Sequence, residues 1–389
     1  MKDKFNLNKK LVLFVGFYFL AFLSLVLRFT LLHFKSQDYI LDVEPWFEYL
    51  KLHGVGALKF NFSNYNLPYL YLLLIGTLLP LPKIVVIKGI SIAFDLLLAY
   101  GVYLVVKHFR SNEYLPHVAA LTTLFLPTVF INSAMWGQCD STYTSLLLFA
   151  FYFLLRHRYA WMWVMWGLAF AFKLQAVFLL PLLLIAGMRF KLWKWSWTVL
   201  AIFIVFAIPA MLAGRSFSSI LQIYTQQVGF YNALTLHAPN FYQWIPNSLF
   251  SYFHYFGIVL TMSLVVAIAL LVYYYERFSD QALLLVATLI VLVVPFFLPE
   301  MHERYFYPAE IFTLLTAFIY RPAMWYAPVM QFVTLCAYTP FLFNAKPVLP
   351  LGIVAIFVLV MIAHLTYRLF MCDDIEKFVV ATKRRGAKA

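Results

Sequence analysis

The sequence predicts an all-α polytopic membrane protein. Three observations carry the prediction. Of 389 residues, 64% are hydrophobic and only 12% charged, whereas soluble domains sit near half apolar and a quarter charged. The apolar residues fall in long continuous runs, unlike the short alternating segments of membrane β-barrels. The basic residues recur between those runs in a pattern that marks one side of a membrane.

The elements follow from the runs. Spans are expected near residues 11–34, 84–106, 114–134, 141–155, 159–172, 174–188, 195–213, 256–276, 281–298, 305–320, 323–343 and 348–371. Several fall short of the ~20 residues of a perpendicular crossing, so they read as broken or half-length helices around a protein-lined cavity. The first run follows "MKDKFNLNKK". It is too long for a signal sequence and lacks a small-residue cleavage site, so it reads as a retained helix. The run 67–82, "LPYLYLLLIGTLLPLP", is short and flanked by prolines and reads as interfacial or re-entrant. The expectation is one transmembrane domain over 1–389 with about twelve transmembrane helices (about 11–14).

The net charge of +13 would suggest nucleic acid in a soluble protein, but here it reports topology, and no nucleic-acid partner is expected. With an even number of spans, the cytoplasmic stretches hold most of the 29 basic residues: Lys2, Lys4, Lys9, Lys10, Lys107, Arg110, Arg156, Arg158, Arg189, Lys191, Lys194, Arg277, Arg321, Arg368 and a basic cytoplasmic tail at 372–389. A full span at 67–82 would scatter the pattern. Both termini are therefore expected in the cytoplasm. Four polar stretches face outward: the first outer loop 35–83, then 135–141, the loop 214–255, and 299–304. Cys139, Cys336 and Cys372 lie far apart without metal spacing, which argues against a disulfide framework or a zinc site.

The outward stretches carry the polar chemistry. The first loop, "KSQDYILDVEPWFEYLKLHG", holds Asp38, Asp42, Glu44 and Glu48. Within it "PWFEYLKLHG" reads as a short amphipathic helix, Pro45 at its start and Gly54 at its end. Trp46, Phe47, Leu50 and His53 are expected along one face at headgroup level. "MWGQCDS" places Trp136, Gln138 and Asp140 between apolar runs; Asp140 either lines a pocket or caps the helix that follows. "FKLQAVFLLP" brings Lys173 and Gln175, and "LPEMHERYFYP" brings Glu300, His302, Glu303 and Arg304. Loop 214–255 is rich in the amides and aromatics that bind sugars, among them Gln226, Gln227, Tyr231 and Tyr242. Taken singly, such groups anchor helix ends at the interface. Together they point to one outward cavity with carboxylates and cations, suited to an anionic lipid-linked substrate. Arg28 and Asp95 fall within spans, where an ionisable group is a functional candidate by default or pairs with a nearby group.

In order along the chain, "SQDYILDVEPWFEYLKLHG…NFSNYNLPYLY", "WGQCDS", "FKLQAVFLLP" and "MHERYFYP" resemble the GT-C superfamily of integral-membrane glycosyltransferases, over about residues 10 to 310. The likeness is to bacterial relatives of the GPI-anchor mannosyltransferases; the dolichyl-phosphate-glucose-dependent glucosyltransferases show the same order of blocks. The resemblance implies a GT-C type fold with interfacial helices in the first outer loop. It implies inverting transfer of a hexose, mannose or glucose, from a polyprenyl-phosphate-linked sugar. The acceptor would be a lipid-linked glycan, polymer or protein, met on the periplasmic face of a bacterial plasma membrane among its lipids.

The resemblance assigns the catalytic base to Asp38, with Asp42 as fallback, because an acid and an aromatic are followed by Trp46. It places His302, Glu303, Arg304, Lys173 and Gln175 at the donor phosphate and sugar. Trp136, Gln138, Asp140, Asn64, Tyr65 and Asn66 are expected in the sugar pocket. Several family members carry a second acid where this chain has Asn64 and Asn66, so a metal-independent enzyme without cofactor is expected. The competing classes are a transporter or flippase for polyprenyl-linked sugars and a non-catalytic subunit of an envelope assembly machine.

Overall fold

Backbone polar groups in hydrocarbon must be satisfied within the chain, so long apolar runs fold as helices. The computed structural model describes residues 2–227, 229, 231–274 and 279–372. Its helices are α1 (Lys2–Leu31), α2 (Glu44–His53), α3 (Leu67–Gly76), α4 (Lys83–Phe109), α5 (Leu115–Phe125), α6 (Pro127–Phe130), α7 (Asp140–Leu155), α8 (Tyr159–Phe172), α9 (Leu180–Phe190), α10 (Trp197–Leu212), α11 (Phe217–Gln226), α12 (Phe250–Tyr274), α13 (Asp280–Phe297), α14 (Tyr307–Ile319), α15 (Tyr326–Phe343) and α16 (Leu351–Phe370). One two-residue parallel pairing joins β1 (Thr235–Leu236) to β2 (Met301–His302). The expected basic tail, apart from Cys372, lies outside the described residues.

The chain is an all-α polytopic membrane protein. Among the described residues, seven helical stretches are long and apolar enough to cross a bilayer; α5 and the segment Pro127–Trp136, bent by 50°, make an eighth. That is fewer than the expected twelve. Helices α3, α7, α8 and α14 and the stretch Leu174–Phe190 are apolar but have 10–17 residues. The shortfall has a physical reason in α7. Nearly all its side chains are buried between α4 and α8, so protein, not lipid, surrounds it. By contrast α1, α10 and α12 expose apolar side chains over most of their surface. Helix α3 has ten residues, roughly 15 Å, about half a hydrocarbon core.

The bend at Leu126 follows from Pro127. The residue before proline is driven out of the helical region, and Leu126 is extended at ψ 124°. Arg28 and Asp95 pair with each other within the core, Nε to Oδ2 at 2.9 Å. Arg28 also donates to Leu124 O, and Ser133 donates to Asp95. These two intramembrane ions stitch α1, α4 and the bent segment together.

In the first loop, α2 has Pro45 in its first turn and Gly54 at φ +57° beyond its end. Trp46, Phe47 and Leu50 are buried against α3 and α4, whereas His53 is exposed. The apolar face therefore packs on protein, on α3 and α4. Glu44 and Glu48 pair with Lys83 on the surface. In the loop before α12, Tyr242 Oη donates to Phe297 O at 2.7 Å. Gly257 of α12 permits this approach, because a Cβ there would stand 1.7 Å from Tyr242 Oη.

Candidate active site

The segment that carries Asp38 is set by short-range hydrogen bonds. Beyond α1, Ser36 Oγ donates to Trp136 O at 2.7 Å and accepts from Tyr39 N at 3.1 Å. That brings residues 36–39 beside "MWGQCDS". There a π-helical turn, Ile131–Trp136, ends at Gly137 in the left-handed region, φ +83°, a conformation glycine adopts without strain. The reversal aims Trp136 and Gln138 at one point. Asp38 Oδ2 accepts from Trp136 Nε1 at 3.1 Å and from Gln138 Nε2. Tyr65 Oη donates to Gln138 Oε1 at 2.8 Å, which fixes the amide's orientation. Among the described residues Asp38 Oδ1 makes no hydrogen bond. The Asp38 side chain keeps 18% of its surface exposed.

Asp140 plays a different part. It opens α7, yet no side-chain cap is made to the helix's amides. Its Oδ1 holds Lys173 Nζ, its Oδ2 accepts from Asn132 Nδ2 at 2.8 Å, and Arg304 Nε lies 3.9 Å away. Lys173 reaches it because α8 ends at Phe172 and residue 173 is extended, φ −153°. Arg304 Nη1 meets Glu303 Oε1 at 2.7 Å and lies 3.7 Å from Asp38 Oδ2, with its guanidinium 5.5 Å from the Trp136 ring centroid.

Burial and charge set the protonation states. Burial alone would raise the Glu303 carboxyl, but contact with His302 and the charge of Arg304 hold it below the usual value. Burial lowers the His302 imidazole against the opposing pull of Glu303, so it is neutral at pH 7. The Asp42 carboxyl is raised, by burial first and then by the charge of Asp38. Burial raises the Tyr65 phenol well above its ordinary value, keeping it a neutral donor.

These groups border a cavity of ≈ 410 Å³, within the usual size range of small-molecule sites. Its walls include Asp42, Trp46, Asn61, Asn64, Tyr65, Lys173, Gln175, Gln226, Gln227, Tyr231, His302, Arg304 and Tyr305. All four polar stretches of the sequence thus meet at one site. The wall carries two cations and one carboxylate. Asp140 and Glu303, both buried, stand behind those cations. Asp38 does not line the wall itself; its carboxylate meets Arg304, which does.

Of the residues expected in a sugar pocket, Asn64 and Tyr65 are on the wall. Trp136, Gln138, Asp140 and Asn66 are buried behind it. Trp136 is held there by Tyr338 and Phe341, ring centroids at 5.0 and 5.4 Å. Asn66 accepts from Gln227 Nε2 at 3.0 Å. These four stand behind the wall, Trp136 and Gln138 against Asp38, Asp140 against Lys173 and Asn66 against Gln227.

The model of glycosyltransferase family 87 matches residues 62–299. The chain belongs to glycosyltransferase family 87. This glycosyltransferase is a membrane enzyme of the GT-C-like kind. No curated protein matches it. The matched segment holds Trp136, Gln138, Asp140, Lys173 and Gln175. It begins after Asp38 and Asp42 and stops before His302–Arg304, so geometry alone joins those residues to it.

Three participants escape a reading of the sequence. Asn132 lies in the apolar run before "MWGQCDS", and only the fold reveals it under Asp140. Tyr305 follows Arg304 and lines the wall. Lys88, in α4, is fully buried; the rule that picks out Arg28 and Asp95 applies equally to it.

Proposed function

We propose that this glycosyltransferase moves a hexose from a polyprenyl-phosphate donor to an acceptor hydroxyl with inversion, Asp38 acting as general base. The observation that carries the reading is the state of that carboxylate. One oxygen is anchored by two N–H donors, the other makes no hydrogen bond among the described residues, and a cation on the cavity wall lies 3.7 Å away.

The step is a single displacement. The acceptor oxygen attacks the anomeric carbon as its proton passes to Asp38 Oδ1. The bond from the anomeric carbon to the phosphate oxygen breaks, and polyprenyl phosphate leaves with the electron pair. One base suffices for inversion when the leaving group is already activated. Charge grows on the departing phosphate, and the wall supplies the cations. Arg304 stands on the wall with 12% of its side chain exposed and would offer guanidinium N–H groups to a phosphate oxygen; Lys173 adds a point charge. Confined in a low-dielectric cavity, each contact is worth more than in water. With charge supplied by side chains, the proposed transfer needs no metal or other cofactor.

Amides and aromatic rings on the wall, among them Asn64, Gln175, Gln227, Trp46 and Tyr231, suit a hexose such as mannose or glucose. Asp42 is the second acid of the site and the alternative base. The positive-inside pattern supports an outward-facing site in a bacterial plasma membrane with both termini cytoplasmic. The acceptor would then be a lipid-linked glycan, polymer or protein on that face.

The test is turnover of polyprenyl-phosphate mannose, glucose and galactose by the purified protein in bilayers, with the product's anomeric configuration determined. Transfer of one of these hexoses with inversion is expected. Retention of configuration, or consumption of nucleotide sugars alone, would sink the reading.

A further inference from the structure

We infer that Lys88 is a positioning residue for the transfer, a buried cationic clasp that sets the base segment against the donors that orient Asp38. The inference rests on Asp38 being the base. Lys88 Nζ donates to Leu32 O at 3.0 Å, Phe34 O at 2.5 Å and Met135 O at 2.9 Å. An ammonium has three N–H donors, and all three are spent on backbone. Leu32 and Phe34 lie just beyond the end of α1 (Lys2–Leu31), and Met135 lies in the last turn of Ile131–Trp136.

Helix C-termini carry orphan carbonyls and partial negative charge. One cation therefore satisfies two chain ends at once. Among the described residues no carboxylate pairs with Lys88, and the Tyr39 ring lies 5.9 Å from its ammonium. The methylene stem packs where the chain reverses, since a Cβ on Gly137 would sit 3.6 Å from Lys88 Cε.

The two segments so joined are the ones that matter to the base. Asp38 follows Phe34 by four residues; Trp136 and Gln138, its two donors, follow Met135 by one and three. Ser36 makes a second, weaker tie between the same segments through Trp136 O. If the segments part by 1 Å, Asp38 loses its anchors and leaves its line to the acceptor. A displacement of that size costs about 100-fold in rate.

The test compares wild type, Lys88→Met, Lys88→Arg, Ser36→Ala and Asp38→Asn. The substrate is whichever of polyprenyl-phosphate mannose, glucose or galactose the wild type turns over fastest. Lys88→Met keeps the stem and removes the charge. It is expected to lower kcat about 100-fold with donor KM within about 3-fold, and Lys88→Arg, which restores a cation with several donors, to recover about a tenth or more of the lost rate. Ser36→Ala, which leaves the buried charge in place, is expected to lower kcat about 10-fold at unchanged KM and keeps the question open to measurement should Lys88→Met not fold. Wild-type kcat in Lys88→Met or in Ser36→Ala, or a loss carried by KM, overturns the clasp while an inactive Asp38→Asn leaves the base standing. Wild-type turnover by Asp38→Asn overturns the base itself.

Discussion

Asp140 holds the Lys173 ammonium from behind the cavity wall, the carboxylate fully buried and the cation partly exposed. In the proposed transfer such a carboxylate serves the donor site without touching the donor. It offsets the desolvation of Lys173 and points its charge. Replacing one partner of a buried pair strands the other, typically at about 3–5 kcal/mol. Asp140→Ala is therefore expected to lower the melting temperature and to raise donor KM about 10-fold or more as Lys173 swings free. Thermal unfolding and donor titration check this. A variant with unchanged stability and KM would mean that Lys173 is held by something else.

Gln138 is expected to act on kcat. Gln138→Leu removes one of two hydrogen bonds to Asp38, and a hydrogen bond to a charged group contributes about 1.5–3 kcal/mol. Turnover should fall about 10-fold or more, with donor KM unchanged, because Gln138 is buried behind the wall. A rise in KM without loss of kcat would put Gln138 in donor binding instead.

These two side chains also mark how far the sequence can be read. The class of protein, the positions of the runs and the meeting of four polar stretches are legible, because hydropathy and charge act along the chain. The family blocks bring Asp38, Lys173 and Arg304 to one site. What the sequence does not disclose is which side of a wall a residue takes. Asp140 and Asn64 look alike as polar residues in outward stretches, yet one is buried beneath Lys173 and the other faces the cavity. That depends on the left-handed turn at Gly137 and on Asn132, eight residues before Asp140. The span count differs for a related reason: α7 is sheathed by α4 and α8, so its length is set by protein neighbours and not by the bilayer.

His302 gives the account a pH signature. Burial lowers its pKa below the ordinary 6.5, so the fold prefers the neutral ring and the unfolded chain takes up the proton first. Stability is full above pH 6.5 and falls as pH drops through that value toward the lowered one. Glu303, also lowered, adds its loss only below its ordinary 4.5. Between pH 7.5 and 5.5 the wild type should therefore lose more melting temperature than His302→Asn. Parallel curves would contradict a buried neutral histidine.

Gly257 is a stability position away from the cavity. A methyl group there would overlap Tyr242 Oη, displacing the ring or α12, and overpacking of this kind costs about 1–3 kcal/mol. Gly257→Ala is expected to lower the melting temperature with turnover per folded molecule intact, and Tyr242→Phe, which removes the hydroxyl, to recover part of the loss. Additive losses in the double variant would show that the two residues do not collide.

The central claim is that Asp38 takes the acceptor's proton, and Asp38→Asn tests it most directly. The amide keeps the side chain's shape but not its basicity. With the preferred polyprenyl-phosphate hexose, transfer by Asp38→Asn should fall at least about 100-fold while donor binding stays within about 3-fold of wild type. Transfer at the wild-type rate by Asp38→Asn, with Asp42→Asn inactive, would contradict the account and move the base to Asp42.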